Sequence, residues 1–263
     1  MFKGRVNVLS VQEIAEHIFD ISLHAPEVAN TASAGSFINL YLDDRSKLLP
    51  RPISICRTDS GQGTVNIVFR IAGEGTEQLS KLRTGDTVEI MGPLGNGFLP
   101  AKEKNAILFG GGIGIPPMLF LAKQLSEEGK NVISIMGYRN NSTFLSGAFG
   151  AFGKIHIATD DGSVGMFGNV IDAADKLIKK GGLPVEDACC YACGPIPMLK
   201  GVKSFADSHG IRAQISMEER MACGVGACLG CVVKTVKKDD HSNVNNKRVC
   251  KDGPVFWAEE IEL

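Results

Sequence analysis

Four cysteines near the carboxyl end, Cys223, Cys228, Cys231 and Cys250, follow the spacing C-x4-C-x2-C-x18-C. Thiolates at C-x4-C-x2-C with a distant fourth partner make the plant-type pattern for a [2Fe–2S] cluster. The first three lie in Cys223-Gly224-Val225-Gly226-Ala227-Cys228-Leu229-Gly230-Cys231, whose small residues let backbone N–H groups approach the sulfurs. Tetrahedral zinc is the rival occupant, but a structural zinc site normally uses two separated pairs of close cysteines. Cys250 has no second cysteine beside it. Of the other four cysteines, Cys56, Cys189 and Cys190 sit in strand-like apolar runs and read as small core residues. Cys193 opens Cys193-Gly194-Pro195 at the end of a strand, where ligands bind in open α/β sheets.

A second chemical segment is Gly110-Gly111-Gly112-Ile113-Gly114-Ile115-Pro116-Pro117-Met118, which follows a strand and opens a helix. Bare amides at a helix start suit a pyrophosphate; a tight turn with no ligand is the alternative. The segment is not a G-x-G-x-x-G fingerprint, because Pro117 stands at the third glycine place after Gly112 and Gly114. Nor does an acidic residue follow the second strand, where Gly137-Tyr138-Arg139-Asn140 stands.

These segments need a folded scaffold, and the composition provides one. The chain has 263 residues, 44% hydrophobic and 22% charged, which is room for two ordinary domains of a folded protein. With 28 Lys plus Arg against 29 Asp plus Glu, the net charge is −1, which argues against nucleic-acid or polybasic membrane binding. The first twenty residues have no continuous apolar core, so no signal peptide is expected. The long uncharged run between Lys104 and Lys123 is broken by Gly and Pro and is not expected to span a membrane. A cytoplasmic location follows, where eight cysteines mean metal or redox chemistry rather than disulfides.

The rhythm of the chain divides it into three. Residues 1–100 read as short strands and turns: Val65, Ile67, Phe69 and Ile71 keep a two-residue period, and 19–23, 37–42 and 87–91 are similar. Strands with so little helix predict a small antiparallel barrel. Residues 101–216 alternate strands at 106–109, 132–136, 155–158, 189–192 and 213–216 with helices, notably over 170–180 and 197–208, predicting a parallel α/β sheet. Residues 217–263 form a short tail carrying the four spaced cysteines. Its basic residues Lys234, Lys237, Lys238, Lys247, Arg248 and Lys251 flank the polar stretch 239–246. That stretch reads as a solvated hairpin, with partner docking as the sharper alternative. The five histidines, His17, His24, His156, His209 and His241, show no ligand spacing.

An iron–sulfur cluster passes single electrons and a nicotinamide takes a hydride, so a chain using both needs a group that converts between them. Flavin does so. In the barrel, Arg51-Pro52-Ile53-Ser54 offers a cation and a hydroxyl, and Gly73-Glu74-Gly75-Thr76 precedes a short helix near 77–82, an amide-rich anion site. Taken singly, the first is often only an Arg-Pro turn and the second a common loop.

Together and in order, these segments resemble the ferredoxin–NADP reductase superfamily over essentially the whole chain. The resemblance implies that Arg51 and Ser54 belong to an Arg-x-x-Ser flavin motif spanning Pro52 and Ile53. It implies that Val68, Phe69 and Arg70 lie along the flavin and that Gly75 and Thr76 form a phosphate turn. Gly92-Pro93-Leu94-Gly95-Asn96-Gly97-Phe98 is similar to the link between the two nucleotide domains. Gly111, Gly112 and Gly114, with Cys193, Gly194 and Pro195, match the nicotinamide segments, Cys193 lying near the hydride-transfer position. The short tail, entered through Met217-Glu218-Glu219-Arg220-Met221, and Asp160-Asp161-Gly162-Ser163-Val164-Gly165 are similar to the electron-transfer subunits of dihydroorotate dehydrogenase B. The expected architecture is α+β and multidomain: an FAD-binding antiparallel β-barrel over 1–100, an NAD-binding parallel α/β domain over 101–216, and a small [2Fe–2S] domain over 217–263. The expected role is to pass electrons from an FMN-containing dihydroorotate dehydrogenase catalytic subunit through [2Fe–2S] and FAD to NAD+ in pyrimidine biosynthesis, in a heterotetramer of two of each chain. Sulfide dehydrogenase and ferredoxin:NAD(P) oxidoreductase small subunits are the alternative relatives.

Overall fold

The computed structural model describes residues 1–44, 46–238 and 243–263. His241 and the first part of the polar stretch 239–246 lie outside the described residues. Close packing divides the chain into two compact units.

The first unit comprises Met1–Gly97, Glu218–Val233 and Lys247–Pro254. Its strands are β1 (Phe2–Ala15), β2 (Ile18–His24), β3 (Phe37–Tyr41), β4 (Arg51–Asp59), β5 (Thr64–Arg70) and β6 (Thr87–Leu94). They close an antiparallel barrel in the order β1-β2-β5-β4-β3-β6, which leaves no open sheet edge. Alternation in the strands sends Val8, Ile21, Leu23, Ile38, Leu40, Ile55, Ile67 and Ile90 inward, each at most 1% exposed. Two short helices, α1 (Pro26–Ala29) and α2 (Glu74–Ser80), follow β2 and β5. The segment 51–54 is the start of a strand and not a turn, with Pro52 paired opposite Asn39. A proline is tolerated there because it lies next to the first residue of its strand.

The second unit comprises Phe98–Met217, Lys234–Asn246 and Val255–Leu263. Its elements are β7 (Asn105–Gly111), α3 (Ile115–Glu127), β8 (Asn131–Tyr138), α4 (Ser146–Phe149), β9 (Lys154–Thr159), β10 (Met166–Phe167), α5 (Val170–Lys179), β11 (Ala188–Cys193), α6 (Ile196–His209) and β12 (Arg212–Ser216). In the tail, β13 (Val232–Lys234) pairs with β14 (Asn246–Arg248), and β15 (Val255–Trp257) joins the edge of the large sheet. The sheet order is β10-β9-β8-β7-β11-β12-β15, parallel except for β15 against β12. Helix α5 illustrates how local sequence sets an element. Asn169 caps it by accepting from Ile171 and Asp172, and Asp172 accepts from Asn169 N–H in return. Val170, Ala173, Ala174 and Leu177 then recur with helical period and are the buried face.

The chain leaves β7 toward β8 and β9 on one side, then returns to the other side at β11. The β7–β11 crevice is therefore the topological switch point, where ligands bind in such sheets. Cys56 in β4 and Cys189 and Cys190 in β11 are fully buried. Burial pushes the Cys56 thiol up to about 12 and Cys189 to about 11, so they serve as core residues.

Candidate functional site

In the barrel unit, Arg51, Pro52, Ile53 and Ser54 lie half-buried at the start of β4. Gly75 and Thr76 lie in α2, and the structure brings them to Arg51: a Cβ on residue 75 would overlap the Arg51 guanidinium. Glycine leaves that space open, so the cation rests against the helix backbone. The first helical hydrogen bond runs from Glu77 N to Gly73 O, 3.0 Å. The N–H groups of Glu74, Gly75 and Thr76 thus carry no intrahelical bond. Thr76 Oγ1 accepts from Ala72 N and Gly73 N and donates to Gly73 O. Its hydroxyl therefore shapes the turn, and its N–H is what it offers an anion. A guanidinium beside free amides fits a phosphate. The neighbouring strand β5 carries Val68 and Phe69, both buried, and Arg70, exposed. Phe69 stacks on Phe19 with centroids 6.1 Å apart.

The four spaced cysteines belong to the same unit. Their thiols fall into two neighbouring pairs, Cys223 with Cys228 and Cys231 with Cys250. Two pairs are the donor set a two-iron core requires. Backbone donors point at the sulfurs: Val225 N to Cys223 Sγ at 3.4 Å, Gly226 N to Cys250 Sγ at 3.2 Å and Cys250 N to Cys231 Sγ at 3.4 Å. Such donors stabilise thiolate charge. For Cys223 desolvation opposes ionisation, but the N–H groups of Val225, Cys228 and Ala227 and the Cys228 thiol pull it down to about 6. Burial, then the hydrogen bond to the Cys231 thiol and the charge of that sulfur, push Cys250 up to about 12; a bound metal centre deprotonates such thiols outright. The residues fit an iron–sulfur cluster. One pair is buried, while Cys223 is half-buried and Cys228 exposed.

Sequence reasoning missed Asn39. It is fully buried in β3, and its Nδ2 donates to Cys223 O at 3.3 Å. Its Oδ1 has no hydrogen-bond partner. As the one polar residue inside Phe37-Ile38-Asn39-Leu40-Tyr41, it broke the apolar run, and that break was the available signal. Opposite Pro52 in register, it ties the cysteine loop to the strand beside β4. Asn39→Ala leaves the Cys223 carbonyl unpaired and should lower unfolding free energy by about 1–3 kcal/mol. Urea denaturation of the cofactor-loaded chain measures this.

In the second unit, Gly111 ends β7, Gly112–Gly114 form a 3-10 turn and α3 begins at Ile115. Cys193 ends β11, opposite Gly110 in register. The two segments touch: Gly114 lies against the Cys193 carbonyl, and a Cβ on Gly111 would come 3.3 Å from Pro195 Cδ and 2.6 Å from Met198 Sδ. Gly194 approaches Gly111 N in the same way. Pro116 and Pro117 remove two N–H groups from the first turn of α3, so the glycine turn itself must supply the amides. Cys193 is 2% exposed. The acidic pair follows β9, where Asp160 N donates to Tyr138 O at 3.1 Å beside exposed Arg139. The Ser163 hydroxyl and backbone hold the Asp161 carboxyl below the usual range, so it is anionic at neutral pH.

The basic hairpin residues do not all face water. Arg248 is bound to Asp252 through two parallel contacts of 2.9 Å, from Nε to Oδ2 and from Nη2 to Oδ1.

Two family models match the chain: the iron–sulfur cluster binding domain of dihydroorotate dehydrogenase B over residues 218–262, and the oxidoreductase FAD-binding domain over residues 6–98. The dihydroorotate dehydrogenase B (NAD(+)) electron transfer subunit of Geobacillus thermodenitrificans is 42% identical over 267 residues, covering 99% of each chain. That of Fusobacterium nucleatum subsp. nucleatum is 40% identical over 256 residues, covering 95% of each. Among solved structures, an NADH-dependent reduced ferredoxin–NADP oxidoreductase, described for flavin-based electron bifurcation, superposes with TM-score 0.87 at 30% identity, covering 98% of this chain and 89% of that one. With near-complete coverage on both sides at this identity, the chain belongs to the family of dihydroorotate dehydrogenase B electron-transfer subunits.

Proposed function

We propose that this chain carries electrons between the FMN of a dihydroorotate dehydrogenase catalytic subunit and NAD+, through a [2Fe–2S] cluster and FAD, in pyrimidine biosynthesis. The observation that carries the reading is the joining of two sites in one compact unit. The cysteine loop is hydrogen-bonded through Asn39 to the strand that pairs with the Arg51–Ser54 segment. Within that unit Cys223, Cys228, Cys231 and Cys250 hold the cluster. Arg51 and the amides of Gly75 and Thr76 bind the flavin nucleotide's phosphates. Pro52, Ile53 and Ser54, with Val68, Phe69 and Arg70, line its ring. In the other unit Gly111, Gly112, Gly114, Gly194 and Pro195 bind the nicotinamide nucleotide, and Cys193 lies at the hydride-transfer position. Bound flavin supplies the conversion between single electrons and a hydride. Dihydroorotate gives up two electrons and two protons as it becomes orotate; NAD+ takes both electrons with one proton as NADH, and the other proton goes to solvent.

The exposed Cys228 supports electron entry from a partner face on that side. Asp160 and anionic Asp161 beside the β8 end repel a 2′-phosphate and support NAD over NADP. The functional division is a flavin domain over 1–100, a nicotinamide domain over 101–216 and a cluster domain over 217–263. No helix among the described residues is long and apolar enough to cross a membrane. We place the complex in the cytoplasm as a heterotetramer of two of each chain. The sulfide or ferredoxin-linked reading is not favoured: its solved relative is 30% identical, against 40–42% for the dihydroorotate relatives.

The test uses the full chain with both cofactors. Alone, it should reduce a dye with NADH and leave dihydroorotate untouched. With the catalytic subunit added, dihydroorotate oxidation should couple to NAD+ reduction. Correctly assembled protein without flavin absorbance, or a mixture that never couples the two reactions, overturns the reading.

A further inference from the structure

Cys250 sits in a turn between two opposite charges, Arg248 two residues before it and Asp252 two residues after. The pair is a closed fork. Arg248 Nε and Nη2 each reach the Asp252 carboxylate at 2.9 Å, and Arg248 N donates to Asp252 Oδ2 at 2.8 Å. The remaining arm, Nη1, donates to the Gly226 carbonyl at 3.1 Å. Gly226 in turn aims its own N–H at Cys250 Sγ, 3.2 Å away. One guanidinium thus locks the turn carrying the fourth cysteine to the loop carrying the first three. The segment is anchored from the other side as well, since Asn96 N donates to Gly253 O and its side chain to the Lys251 and Asp252 carbonyls. Both side chains are about one-third exposed, 36% for Arg248 and 30% for Asp252, so water screens their charges only in part.

We propose that Arg248 and Asp252 bias the reduction potential of the cluster in opposite directions and hold it between the two extremes, with Arg248 as the positioning residue. The inference rests on the four cysteines holding a [2Fe–2S] cluster. Reduction adds one negative charge to the cluster. A fixed cation nearby favours the reduced form and a fixed anion disfavours it. As a matched pair the two charges offset each other. Removing either one leaves the other exposed to the sulfurs, and the consequences have opposite sign.

The full chain, loaded with FAD and cluster, is titrated with a reductant while the cluster is followed by electron paramagnetic resonance. Arg248→Gln should lower the ratio of reduced to oxidised cluster at a fixed potential, and Asp252→Asn should raise it. A tenfold change in that ratio is 59 mV for a one-electron couple. The double variant should return toward the parent, and Arg248→Lys should shift less than Arg248→Gln. A purely structural role predicts instead that both single variants lose cluster or shift the same way; either result, or no shift in loaded protein, overturns the proposal. If Arg248→Gln alone fails to load, Asp252→Asn decides by itself. A parent chain with no cluster signal would instead refute the cysteine assignment.

Discussion

Cys250→Ser is expected to abolish the cluster while leaving the flavin and the fold of the barrel in place. Cys250 is 2% exposed and pairs with Cys231, and its backbone N–H supports the Cys231 sulfur. A serine hydroxyl is a hard, weakly acidic donor and does not replace a buried thiolate on iron. The same change is small in volume, so the buried surroundings of residue 250 are retained. Three consequences follow for the purified chain. The iron content and the visible bands of the cluster disappear. NADH-driven dye reduction persists, because that route uses only the flavin and the nicotinamide. Coupled dihydroorotate oxidation falls by more than the ~10–100-fold that outer-shell changes cost at metal sites. A Cys56→Ser control, altering a cysteine buried in β4, should keep the cluster. Retention of coupled activity by Cys250→Ser would show that electrons bypass these four cysteines.

What could be read from the sequence was whatever is encoded locally. Cysteine spacing, the glycine turn and two-residue alternation in 65–71 are short-range patterns; the structure has a strand at Thr64–Arg70 and a 3-10 turn at Gly112–Gly114 after β7, while the cysteines pack with the barrel unit and not as a unit of their own. Even the segment 51–54 was visible as a cation and a hydroxyl, although it proved to be a strand start, because the pairing of Pro52 with Asn39 is set by a strand distant in sequence. The partners that act at long range left no pattern. Asn39 and Cys223 are 184 positions apart, and nothing near Asn39 announces a loop that arrives after the whole α/β sheet has been made. Arg248 was read as one of several hairpin cations, since its fork with Asp252 depends on a turn closed by Cys250, not on composition. The same holds for Gly114, whose need for glycine comes from a strand formed about 80 residues later in the chain.

That need makes Gly114→Ala the sharpest test of the nucleotide crevice. At Gly114 φ is −78°, so alanine carries no conformational penalty there and would favour the helix start. Space decides the outcome. A Cβ at 114 would overlap the carbonyl of Cys193 and lie 2.6 Å from Gly194 N. Both are backbone atoms of β11 and the turn after it, held by ladder bonds to β7 and β12, so they cannot rotate away as a side chain would. Overpacking of this kind costs about 1–3 kcal/mol, and the strain falls on the two segments proposed to grip the nicotinamide nucleotide. The expected result is a KM for NADH raised about tenfold or more, one decade for each 1.4 kcal/mol lost from binding, with flavin and cluster content unchanged. Cys193→Ala separates the two contributions of that strand end. It removes the thiol but leaves the carbonyl, so it should leave the KM near the parent value and act on turnover. Equal KM values for Gly114→Ala and the parent protein would place the nucleotide away from the β7–β11 switch point.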